Sequence, residues 1–198
     1  MTRSAIVKLR PWIAIALVSS LAACASSGGP LVSPGPNPAG GDLRIDSEME
    51  WSRYSDRRSQ WWTMDGQQLN LLYLIPAVRP GEYIFLGRRQ TTRRPDWPFF
   101  QPGMRADELR DLIVDGLLAA GLVGVQATDL RPDDFGGREG LRFEMSMANQ
   151  EGLRYQGMAA AFEHDDRLAL ALFLAPSEYY YPRDAAKVAR MLDSLRLE

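Results

Sequence analysis

The sequence predicts an α+β domain, an antiparallel sheet flanked by helices. Three observations carry this. Residues 141–174 hold three strand-like runs separated by turn residues. Residues 105–120 repeat apolar side chains at helical spacing. Residues 183–195 do so again.

Taken in order, residues 51–54 and 60–64 read as short strands. Asp65-Gly66 is a tight-hairpin signal. Leu69, Leu71 and Tyr73 then alternate with Gln68, Asn70 and Leu72, as in a half-buried strand. Pro76, Pro80 and Gly81 break the pattern, and residues 83–86 read as a further strand. Residues 87–103, rich in Arg, Pro and aromatics, read as a long loop. The helix over 105–120 places Leu109, Leu112, Ile113, Gly116, Leu117 and Ala120 on one face. Asp107 and Glu108 suit its first turn and Gly121 its end. Val123, Val125 and Ala127 alternate in a following strand.

Leu141, Phe143, Met145 and Met147 next alternate with Arg142, Glu144 and Ser146. A turn at 149–152 leads to a strand through Tyr155, Met158 and Phe162. A second turn at 164–167 leads to the apolar run 168–174. That is a three-strand meander, and its apolar third strand is expected at the centre of the sheet. The last helix, over 183–195, buries Ala185, Val188, Leu192 and Leu195. Trp61-Trp62 puts adjacent indoles on opposite faces of a strand, one buried and the other at least partly exposed.

This element order over 105–198, ending in Ser194-Leu195-Arg196-Leu197, resembles the PsbP/DcrB-like α/β/α sandwich. The resemblance implies a small antiparallel sheet between helices, often in lipoproteins or lumenal accessory proteins. It carries over no catalytic residue.

The first segment reads as an address. Arg3, Lys8 and Arg10 precede a short apolar run at 12–18 and the small residues Ser19, Ser20, Ala22 and Ala23. That is the pattern of a secretory signal, and the run falls short of the roughly 20 apolar residues that span a bilayer. Leu21-Ala22-Ala23-Cys24 resembles the lipobox of bacterial lipoproteins. The resemblance implies cleavage after Ala23, a diacylglycerol thioether on Cys24 and an acylated amino terminus. Cys24 is the chain's one cysteine, so no internal disulfide is expected. Ala25, where retained lipoproteins carry Asp, resembles the sorting pattern for the outer membrane of a Gram-negative host. Gly, Pro and Ser fill 12 of the 18 positions at 25–42, a composition that buries little apolar area. Residues 24–45 are therefore expected to be the lipidated cysteine and a flexible tether. Residues 46–198 are expected to form one domain.

The precursor carries 23 basic and 25 acidic residues, and the signal removes three of the basic ones. This balance excludes an electrostatic nucleic-acid binder. His164, beside Asp165 and Asp166, is the one histidine and reads as part of a polar turn. Metal sites and Ser-His-Asp chemistry lack residues to complete them. Gly136-Gly137-Arg138-Glu139-Gly140 lacks the ending of a phosphate loop. No cofactor, no metal and no enzymatic activity are expected.

The candidate site is the loop at 88–100. Arg88, Arg89, Arg93 and Arg94 form the densest basic cluster, and Trp97, Phe99 and Phe100 follow. Such a loop binds an anionic head group or a partner's acidic surface, with the aromatics as anchors. The plainer reading is a solvated loop whose aromatics turn back onto the core. Tyr179-Tyr180-Tyr181-Pro182 is expected to pack the start of the last helix. The whole reads as a non-enzymatic envelope lipoprotein, an accessory module at the outer membrane that meets another envelope protein. The alternative is a carrier of a small or lipidic ligand, which requires an apolar cavity.

Overall fold

The computed structural model describes residues 29–85 and 97–198. In chain order its strands are β1 (Leu31–Val32), β2 (Gly35–Gly40), β3 (Leu43–Ser47), β4 (Trp51–Ser55), β5 (Gln60–Thr63) and β6 (Leu71–Val78). Helix α1 (Ala106–Ala119) is followed by β7 (Val123–Asp134), β8 (Glu139–Ala148), β9 (Arg154–His164) and β10 (Arg167–Pro176). Helix α2 (Tyr180–Asp193) and β11 (Arg196–Leu197) come last. The fold is α+β, mostly antiparallel sheet with two helices.

Eight strands form one sheet in the order β1-β4-β5-β6-β10-β9-β8-β7. The expected meander is β8, β9 and β10, and the apolar third strand lies between β6 and β9. Alternation along a strand sends successive side chains to opposite faces. Leu168, Leu170 and Leu172 therefore enter one core with Phe143, Met145 and Ala159, capped by Leu109, Ile113 and Leu117 of α1. Ala169, Ala171 and Phe173 enter the other with Trp51, Trp62, Leu72 and Leu74, capped by Val188, Met191 and Leu192 of α2. Trp62 is fully buried and Trp61 half-buried, as their adjacency in a strand requires.

Helix α1 starts where the Arg105 amide donates to Glu108 Oε2 at 2.7 Å. It crosses close over the segment after β6. A Cβ on Gly116 would meet Ile84 Cγ2 at 2.5 Å, so this contact depends on glycine. Helix α2 starts earlier than the periodicity suggests, at Tyr180, with Pro182 in its first turn, where a missing amide costs nothing. Tyr181 is buried and stacks on Phe173 at 5.9 Å. Buried Arg142 ties α2 to the sheet through the Ala189 carbonyl, 3.1 Å away, and an ion pair with Asp193 at 2.8 Å. Its Nε also lies 2.8 Å from Asp133, off the hydrogen-bonding line, so that contact is electrostatic.

The expected tether is the main correction. Residues 31–45 are built into the body rather than hanging from it. Strands β2 and β3 pair with each other, and β11 adds to β3, giving a second sheet in the order β11-β3-β2. Val32, Ala39, Leu43 and Ile45 are all buried in the α2-side core. Pro36 and Pro38 are tolerated because β2 is an edge strand and need not donate on its outer side. Ion pairs Arg44–Glu198 (2.9 Å) and Arg196–Asp46 (3.0 Å) fasten the same region to the last residues.

Two smaller expectations also change. Asp65-Gly66 does not make a two-residue hairpin. It lies in the connection between β5 and β6, where Asn70 Oδ1 accepts from the Met64 amide (2.9 Å), the Asp65 amide (3.1 Å) and Thr63 Oγ1 (2.9 Å). Asn70 Nδ2 donates to Asp65 at 2.8 Å, and Arg183 of α2 pairs with both Asp65 and Asp184. Of the strand expected at 83–86, the described residues 83–85 show an isolated bridge joining Tyr83 to Phe99, and residue 86 lies outside the described residues.

The tether and body accounts separate on one substitution. Ile45→Ala should cost about 2–5 kcal/mol in chemical unfolding, because it opens a cavity in a filled core. A variant as stable as the parent would return residue 45 to a free tether.

Candidate functional site

Residues 79–85 and 97–100 run side by side. The Gly81 amide donates to the Phe100 carbonyl at 2.8 Å, and the Phe100 amide to the Glu82 carbonyl at 3.0 Å. This pairing fixes both ends of the expected site loop. Arg88, Arg89, Arg93 and Arg94 lie outside the described residues.

The three aromatics divide. Phe100 is fully buried in the α1-side core, so it is a packing residue and leaves the candidate site. Trp97 and Phe99 are half-buried. Trp97 stands edge-on to Tyr83, ring centres 5.4 Å apart at 72°. They line a wide groove of about 670 Å³ between residues 97–104 and α1. Met104 and Leu112 add apolar surface. Glu108, Asp111 and Asp115 add a row of exposed acids at helical spacing on α1. Arg105 lies 3.8 Å from Glu108 and Arg110 pairs with Asp111 at 2.7 Å, so this row of acids is partly neutralised by arginines of the same helix. Helical spacing held the signal for these acids, since they alternate with the buried face that defines α1.

Beside the pairing of residues 79–85 with 97–100 lies a partly buried ion pair. Glu82 is buried, and both of its oxygens meet Arg58. The Arg79 amide also donates to it at 2.9 Å. The hydrogen-bonded Arg58 guanidinium holds the Glu82 carboxyl below the usual carboxylate range, against the opposing effect of burial. Asp56 accepts from the Ser59 amide at 2.7 Å, and the Ser59 hydroxyl lies 3.0 Å from the Tyr73 hydroxyl. The β4–β5 turn is thus tied to β6.

The second aromatic cluster has a different form. Tyr179 is 63% exposed and edge-on to Tyr180, with centres 5.1 Å apart. The Arg183 guanidinium sits over both rings, at 5.6 and 5.0 Å. Asp65 and Asp184 hold that guanidinium, so the tyrosines serve to clamp the start of α2. Tyr181, buried beneath them and near Glu144, has its hydroxyl pushed up to about 12.

His164, Asp165 and Asp166 form the β9–β10 turn. Both aspartates have positive φ, 47° and 56°, as a tight two-residue hairpin requires. His164 Nε2 lies 3.1 Å from Asp165. Among the described residues, no three His, Cys, Asp or Glu side chains converge as a metal site. No helix among them is long and apolar enough to cross a membrane.

No family model matches the chain, and no curated protein matches it. Among solved structures, a 1.50 Å crystal structure from Bacteroides thetaiotaomicron is similar over 86% of this chain, at 10% identity and a TM-score of 0.47. This chain spans 49% of that neighbour's length.

The Glu82–Arg58 pair predicts an acid dependence. A carboxyl held low in the folded state contributes stability that is present above its unfolded pKa of roughly 4.3 and lost as pH falls through the folded value. Stability measured downward from about pH 6 should decline through that window, and Glu82→Gln should flatten this part of the decline. An unchanged slope in the variant would remove Glu82 from the account.

Proposed function

We propose that the protein is a non-enzymatic envelope lipoprotein. In this reading it is cut before Cys24 and lipid-anchored at the outer membrane of a Gram-negative cell. The domain faces the periplasm and holds a segment of another envelope protein. The groove beside α1 carries the interaction reading. Its aromatic and methionine floor accepts apolar side chains, and the row Glu108, Asp111 and Asp115 accepts basic ones. The arginines of the sequence reading lie outside the described residues, and the described rim of the groove carries acids. The carrier alternative calls for an enclosed apolar cavity, whereas this groove is open and rimmed by acids.

The finer fold reading, a PsbP/DcrB-like α/β/α sandwich, belongs to the same proposal. It is supported by α1 and α2 packing into separate cores and by the way Ser194 to Leu197 ends the chain. Ser194 caps α2, Leu195 is buried, and Arg196 and Leu197 pair with β3.

A photo-reactive phenylalanine analogue at Phe99 should crosslink a single envelope protein in native membranes. Asp111→Lys combined with Asp115→Lys should lower that yield by about tenfold, as charge reversal at a complementary surface does. Equal yields with and without the reversal would overturn the groove as the docking site. Separately, Cys24→Ser should move the protein from the membrane to the soluble fraction. Continued attachment would overturn the anchor.

A further inference from the structure

The described residues begin at Gly29, which is already part of the fold. A Cβ built on Gly29 would meet the Arg53 carbonyl oxygen at 2.0 Å and the Tyr54 ring at 3.4 Å. The chain therefore lies flat against β4, where only glycine fits. The Arg53 amide donates to the Pro30 carbonyl at 2.8 Å. Leu31 then pairs with Ser52, and Val32 with Trp51. Val32 is buried, while Leu31 is 74% exposed on the outermost strand of the large sheet.

Only residues 25–28 separate Cys24 from this fixed point. An extended chain covers at most ~3.3–3.6 Å per residue, so the five steps from Cys24 to Gly29 reach about 18 Å. The 18-residue tether read from composition would span roughly 20–25 Å root-mean-square and about 60 Å fully extended. We propose that the lipid on Cys24 holds the β1–β4 edge against the bilayer, so that Leu31 enters the lipid interface and the domain stands in one orientation. This rests on the lipoprotein reading above and adds an orientation to it.

The edge has the chemistry for that position. Register places Leu31 on the same face as Tyr54 and Trp61, since Leu31 opposes Ser52 and Tyr54 opposes Trp61. The two rings stack within 7°, 6.2 Å apart, and both are half-buried. Tyrosine favours the head-group layer, where an apolar ring body and a polar tip are both accommodated, and Trp61, whose indole nitrogen is buried, backs the Tyr54 ring. The opposite edge of the sheet is β7, seven strand spacings away, or about 34 Å at ~4.8 Å each. Helix α1 packs over β7 and β8. The α1 wall of the groove thus lies toward the edge away from the anchor.

The test uses the lipidated full-length protein in vesicles of phosphatidylethanolamine and phosphatidylglycerol. Leu31→Cys, at the exposed edge, and Gln126→Cys, exposed on β7, each carry an environment-sensitive fluorophore. Lipid-borne quenchers should reduce the signal at 31 several-fold more than at 126. A Gly/Ser spacer of about fifteen residues, spanning ~20 Å, inserted between Gly28 and Gly29 should bring the quenching at 31 down to that at 126. Equal quenching at both sites without the spacer, or an unchanged difference with it, would overturn the orientation. Acyl-chain incorporation at Cys24 is read on the same preparations. Lipidation with equal quenching removes the orientation alone. Absence of lipidation removes the anchor and the orientation together.

Discussion

The structure depends on one constraint: its large sheet is apolar on both faces. Strand β10 shows this most directly, because its leucines enter one core while Ala169, Ala171 and Phe173 enter the other. A sheet of this kind must be covered twice. Helix α1 and residues 79–85 and 97–104 cover one face. On the other, α2 has 14 residues and spans only about 21 Å, too little for eight strands. The remainder is roofed by the small sheet β11-β3-β2. Residues 31–45 are therefore drawn into the body to complete a core.

That demand explains which parts of the fold were legible in the sequence. Helix α1 and the β8–β9–β10 meander announce themselves by period, because each buries one regular stripe of large side chains. The central position of β10 follows from its lack of a polar face. Strand β2 gives no such signal. Its one buried side chain is Ala39, its prolines are permitted by an outer edge, and β3 takes its other partner from β11, about 150 residues away in the chain. Composition weighs side chains. Here the contribution is backbone pairing and position, which composition does not register.

The site was half legible for a similar reason. The run Trp97, Phe99 and Phe100 marks an aromatic surface, but adjacency in an extended segment forces neighbours to opposite sides. Phe100 is taken by the core, and Trp97 and Phe99 remain on the groove. The acids on the groove's rim sit on α1, where the sequence reading attended to the buried stripe. Asp65-Gly66 misled in the opposite sense. Its hairpin signal is local, and the Asn70 side chain reorganises the turn by taking up two amides that a tight hairpin would pair differently.

These points meet in one claim, that residues 29–47 belong to the folded body. Hydrogen exchange on the protein addresses it directly. Amides of residues 43–47 should exchange only with global unfolding, at the same free energy as those of β10, because both line one core. Exchange of 43–47 at the rate of an open chain, with β10 still protected, would contradict the account.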